Sequence, residues 1–268
     1  MANKFNTRNL IPDFFRTLQA QRETIAFIRA HRLWEGFWKY GWVSRFILVA
    51  GLVVSFKFSG IIQDWWSSAE MDDPFTITQS MGMLFENVAT EGYNFLFLGS
   101  FKYILLIFME ILIFHFARRT LEIKSGIKQE ATLKEFVEAE IRMIKVAFMC
   151  WGMEMVGTIM IQVVLGIFGI DWLEMPAVFV LQCYFIGFIV LDNYNEIFKI
   201  NIKDSFELTK HFAGVSLAIG LVTYLLLLIP ILGAVIAPFI GAVGVTLVMH
   251  ELLPAGKLKL DLEEEEIV

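Results

Sequence analysis

From Val146 to Ile170 the chain runs 25 residues with one charged side chain, Glu154. At about 1.5 Å of rise per residue, such a segment is long enough to cross the ~30 Å hydrocarbon core of a bilayer as a helix. In lipid every backbone amide must be satisfied within the segment, so this stretch cannot be loop or open sheet. Five further apolar segments accompany it: Trp42 to Ile62 with Lys57 inside, Phe95 to Ala117 with Lys102, Glu110 and His115, a short Pro176 to Leu191, Phe212 to Ile229, and Ile231 to Leu253. The expected fold is all-α, a polytopic integral membrane protein of about six apolar helices. Only 19% of the residues are charged and 57% are hydrophobic, against about 25% and 45–50% in a soluble domain.

The basic residues give this bundle a direction. Lys4, Arg8, Arg16, Arg22, Arg29, Arg32, Lys39 and Arg45 cluster ahead of or just inside the first segment. The connection from Ile62 to Phe95 has no Lys or Arg but holds Asp64, Glu70, Asp72, Asp73, Glu86 and Glu91. The next is rich in cations (Arg118, Arg119, Lys124, Lys128, Lys134, Arg142 and Lys145), and the turn at Asp171 and Glu174 again lacks them. Lys199, Lys203 and Lys210, then Lys257 and Lys259, complete the alternation. By the positive-inside rule both termini are cytoplasmic, in a multi-pass protein of the cytoplasmic (inner) membrane. Residues 1–41 contain no apolar core of signal-peptide length. Their helical spacing of Phe14, Phe15, Leu18, Ile25, Phe27 and Ile28 beside arginines predicts an amphipathic helix on the inner membrane surface, or one that docks on a cytoplasmic partner. Residues 42–253 form the transmembrane domain and 254–268 an acidic cytoplasmic tail.

The last two segments meet at Ile229-Pro230-Ile231-Leu232-Gly233-Ala234-Val235-Ile236-Ala237-Pro238, a turn broken by two prolines and a glycine with nothing polar in it. Either two tilted spans or a hairpin that re-enters part way satisfies this pattern. The small residues Gly233, Ala234, Ala237, Gly241, Ala242 and Gly244 allow close helix contact there.

Leu191-Asp192, a polar segment, Tyr224 to Pro230, Pro238, Gly244-Val245-Thr246-Leu247 and Glu251 together resemble the CysZ-type sulfate permeases and the related etoposide-induced-protein family. In that pattern an aspartate after an apolar helix leads to an Ile-Pro hairpin, a second proline and a Gly-Ala-Thr-like stretch. Asp192, Pro230, Pro238, Gly244 and Thr246 fall on those positions. The likeness is clearest over residues 190–253 and extends weakly to Gly41 to Phe46 and Ala117 to Glu122. It implies long spanning helices, helix pairs that enter the bilayer part way, oligomers, and sulfate movement that feeds cysteine synthesis.

Charges at depth are costly, by about 2.5–3.5 kcal/mol on insertion scales, so each invites a functional reading. Arg45, Lys57, Lys102, Glu110 and Glu154 form a candidate substrate path in which the cations attract an anion. The plainer reading has Lys102 snorkelling outward, Glu110 and Glu154 satisfied across helices, and Asp192 and Glu251 meeting Lys199, Lys203 or water at the cytoplasmic ends. Cys150 and Cys183 read as buried packing thiols, and His31, His115, His211 and His250 have no metal-ligand spacing. No phosphate loop, zinc-protease helix or nucleophile elbow occurs, so neither an enzyme nor a cofactor is expected. The net charge of −6 argues against nucleic acid as a partner. Two functions stay open: a small-anion permease or channel without its own ATPase, and a non-transporting scaffold subunit. The second would dock through the acidic segment Gln63 to Tyr93, which carries Trp65, Trp66, Phe75 and Phe85. The expected partners are the bilayer, a small anion, and further copies or membrane-complex subunits.

Overall fold

The computed structural model describes residues 10–34, 101–126, 133–227, 229 and 232–253. All elements among them are helical: α1 (Leu10–His31), α2 (Phe101–Ser125), α3 (Leu133–Phe168), a 3-10 turn (Asp171–Leu173), α4 (Glu174–Ile197), α5 (Ile202–His211), α6 (Ala213–Leu227) and α7 (Leu232–Leu252).

Local chemistry sets several boundaries. Gly169 takes a left-handed φ of +66° after α3; its N–H donates to Gly166 O at 3.2 Å, and that of Ile170 to Leu165 O at 3.1 Å. This is a Schellman stop, and glycine adopts it without a Cβ penalty. α4 stops in the same way around Lys199, at φ 60°, with Lys199 N–H donating to Glu196 O at 2.7 Å and Ile200 N–H to Asn195 O at 3.3 Å. α5 then opens on Asn201, whose side chain accepts from the Asp204 N–H at 2.9 Å, an N-cap that satisfies an otherwise orphaned amide.

The helices form one bundle in which α4 packs chiefly on α6, α6 on α7 and α1, and α2 on α7 and α3. One core joins Leu112, Ile113 and Phe116 of α2, Met143 and Cys150 of α3, Phe188 of α4 and Val243 of α7, together with Ile28 of α1. α4 and α6 touch backbone to backbone. A Cβ built on Gly187 would lie 1.8 Å from Ser216 O, and one on Gly220 would lie 1.7 Å from Cys183 O. The Ser216 hydroxyl adds a 2.9 Å bond to Tyr184 O.

α3 changes character half way. Ala139, Met143, Val146, Ala147 and Cys150 form a buried stripe, and no residue from Trp151 to Phe168 is buried. Val156, Met160, Val163, Ile167 and Phe168 are exposed instead. A face so apolar, with none of the described residues over it, suits hydrocarbon. Two helical stretches, Glu138–Phe168 and Asp171–Ile197, are long and apolar enough to cross a membrane. The count becomes three if α5 and α6, bent by 95° at Phe212, are taken as one span. Of the six expected segments, Trp42 to Ile62 lies outside the described residues. α6 has 15 residues and reaches only ~22 Å, short of a full crossing alone.

Candidate functional site

Arg142 reaches from α3 to Asp192 on α4 as a two-pronged pair. Nε donates to Oδ2 at 3.0 Å and Nη2 to Oδ1 at 2.7 Å. Its third nitrogen, Nη1, donates to the carbonyl of Ile200 in the α4–α5 turn. The Ser205 hydroxyl on α5 donates to Asp192 Oδ1, and Asn195 Nδ2 donates to Ser205 Oγ at 2.8 Å. Both ionic groups are withdrawn from water, with side chains 14% and 5% exposed. The Oε2 of Glu196 stands 4.0 Å from the guanidinium.

The helices impose this arrangement. Arg142 lies on the α3 face that carries Ala139, Met143 and Val146, so it points at the core rather than outward. Asp192 follows the apolar run of α4 on the side facing α3. The turn at Lys199 brings the Ile200 carbonyl back under the same guanidinium. A bidentate arginine–carboxylate pair is among the strongest charge-assisted contacts, and desolvation makes its partners mutually dependent. With every guanidinium nitrogen engaged and a second carboxylate adjacent, the cluster leaves no cation vacant for an anion. Its chemistry is that of a clamp that fixes α3, α4 and α5 at one end of the bundle.

Asp192 thus meets Arg142, and Glu251 meets Arg16 of α1 at 3.1 Å in an exposed pair. Gly233, Pro238, Gly244 and Thr246 are buried in α7. Gly244 faces the side chain of Gln21 on α1, and Thr246 Oγ1 donates to Ala242 O at 2.7 Å. Glu154 is half-buried on α3, twelve residues and so ~18 Å along the helix from Arg142. Lys102 and Glu110 lie on α2. Arg45, Lys57 and Pro230 lie outside the described residues, so the candidate path is not brought together among them. Cys150 and Cys183 are free and buried. Among the described residues no three His, Cys, Asp or Glu side chains gather as a metal-ligand group.

Sequence reasoning passed over Arg142 as one cation of a basic connection. The signal was its register: it is four residues before Val146 and three after Ala139, on the apolar stripe. The Gly187–Gly220 contact was also missed, although Cys183-x3-Gly187 and Ser216-x3-Gly220 are matching small-residue spacings. No family model, curated protein or solved structure matches this chain.

Proposed function

We propose that this chain is a permease for a small anion, sulfate being the first candidate, in the cytoplasmic membrane. One observation carries the reading. Asp192, Pro238, Gly244 and Thr246, four of the residues that carry the resemblance to CysZ-type permeases, are buried in helices that pack together, while Leu225, Ile229 and Glu251 of the same pattern are exposed. Buried positions of this kind are where residues that specify a helix-packed fold belong, and this supports the resemblance. In this reading six apolar segments alternate across the bilayer with both termini inside. Arg45, Lys57 and Lys102 attract the anion, and Glu110 and Glu154 line its path. The resemblance also makes the working form an oligomer.

The test is sulfate flux into proteoliposomes that hold the purified protein, beside empty liposomes and the variants Arg45→Ala and Glu154→Gln. Flux above the empty control, lost in either variant with insertion intact, is the expected result. Folded protein that moves neither sulfate nor any of a panel of small anions would sink the proposal.

A second reading, a non-transporting subunit of a membrane complex, is favoured by the state of Arg142. The buried cation of the clamp is already neutralised by Asp192, as a structural role requires and an anion site does not. Under that reading, removing residues 64–90 breaks a complex while Glu110→Gln and Glu154→Gln leave the protein working.

A further inference from the structure

α1 uses its two long faces differently. Thr17, Thr24 and Ile28 are buried where the helix packs on α6 and α7, close enough that a Cβ on Gly214 would lie 2.2 Å from Leu10 O. Away from that face Ile11, Phe15, Leu18, Arg22, Ile25 and Arg29 succeed one another at spacings of four, three, four, three and four, which is one continuous stripe. Ile11, Phe15 and Ile25 are 65%, 57% and 42% exposed, and both arginines are exposed. No carboxylate interrupts the stripe. Neither Arg22 nor Arg29 has an ion pair among the described residues, in contrast to Arg16, which Glu251 holds on another side of the helix.

The helix is pinned where the bundle meets its surroundings. Arg16 grips Glu251 at the C-terminal end of α7, and Lys124, in the last turn of α2, stands 5.6 Å over the Phe27 ring. Exposed Trp34 follows the helix, a residue type favoured at membrane interfaces. Apolar side chains that alternate with guanidinium groups at such a level match one occupant: acyl-chain ends below and phosphate headgroups beside the arginines. We propose that the Ile11–Arg29 stripe of α1 is a binding surface for anionic phospholipid, with Arg22 and Arg29 each taking a headgroup phosphate. The two arginines are seven residues apart, ~10 Å along the axis, so each can hold its own lipid. This rests on the membrane reading above and is independent of transport, since a protein that moves no sulfate would still prefer the anionic lipid.

The experiment is amide hydrogen exchange across α1 in the full-length protein, in nanodiscs of phosphatidylcholine alone or with phosphatidylglycerol added. At roughly fivefold per arginine beside an anionic surface, phosphatidylglycerol slows α1 exchange by up to ~30-fold. The slowing disappears in Arg22→Gln/Arg29→Gln, persists in Arg22→Lys/Arg29→Lys, and fades at high salt. These substitutions lie on an exposed face, and an unchanged elution volume confirms that the variants are folded. Inorganic phosphate added to phosphatidylcholine discs leaves exchange unchanged, which separates a lipid surface from a free-anion site. Equal exchange in the two lipids, slowing retained in the glutamine variant, or the same slowing from free phosphate would each overturn the proposal.

Discussion

Removing Arg142 should cost the protein more than any exposed substitution. The side chain of Asp192 is 5% exposed, so Arg142→Ala leaves a carboxylate with little access to water, held only by the Ser205 hydroxyl. The Ile200 carbonyl loses its donor as well. Breaking one partner of a buried pair costs about 3–5 kcal/mol, much of it the penalty on the charge left behind. For a chain of this size each kcal/mol moves Tm by about 2–4 °C, so the apparent midpoint should fall by ~6–20 °C. Asp192→Asn should do similar harm from the other side. The pair Arg142→Met with Asp192→Leu removes both charges together and should recover at least half of the single-variant loss, giving a coupling energy of about 2 kcal/mol. The assay is size-exclusion chromatography of detergent-solubilised protein after brief heating, with all four members of the cycle at one heating time. Arg142→Lys keeps the charge but not the fork and should fall between. A loss below ~2 °C in Arg142→Ala, or single effects that simply add, would refute the claim that the pair is desolvated and mutually dependent.

Other outcomes follow from the same geometry. Gly187→Ala and Gly220→Ala each drive a methyl into a backbone carbonyl of the facing helix, so both should sharply lower the yield of folded protein; Gly152→Ala meets nothing within 4 Å and should stabilise by about 0.5–1 kcal/mol. Lys199→Gly relieves a left-handed residue at the end of α4 and should raise the midpoint by the equivalent of ~1 kcal/mol. Asp13 on α1 has its carboxyl raised above the ordinary 3.8, by burial first and against the pull of Arg16. The folded state therefore takes up this proton before the unfolded one, and the penalty is full above the folded-state value and gone below the unfolded one. Asp13→Asn should thus gain midpoint at neutral pH and match the parent in acid, read by the same heating assay along a pH series.

Much of the bundle was legible in the apolar runs, and its ends were not. α6 lies inside the expected Phe212 to Ile229, because nothing polar disturbs that run. α4 runs on to Ile197, six residues past the Leu191 at which its apolar segment stops. Asp192, Asn193, Asn195 and Glu196 look like the start of a loop, yet the first three are buried and Arg142 and Ser205 give Asp192 the partners that keep it helical. That partnership is tertiary, and no local window contains it. α3 begins at Leu133, well before Val146, since its first turns are amphipathic rather than apolar. On α1 the helical spacing was readable but its inner face was not. The buried residues include Thr17 and Thr24, which donate to Asp13 O and Ala20 O and so sit against other helices without an unmet hydroxyl. The candidate site was least legible, because a buried pair fifty residues apart in sequence is declared only by packing.

The two halves of α3 give this protein an uneven freedom to diverge. Beyond Trp151 the outward positions, Val156, Met160, Val163 and Ile167 among them, must only stay apolar and helical. They can drift widely among aliphatic and aromatic residues, while Gly157, against Leu181, cannot. Before it, each turn is read by α2 and α4, and a change at Arg142 is tolerated only if Asp192 changes too. Lineages that carry this bundle would keep their record in the buried half of α3, as paired replacements, and lose it in the half that faces outward.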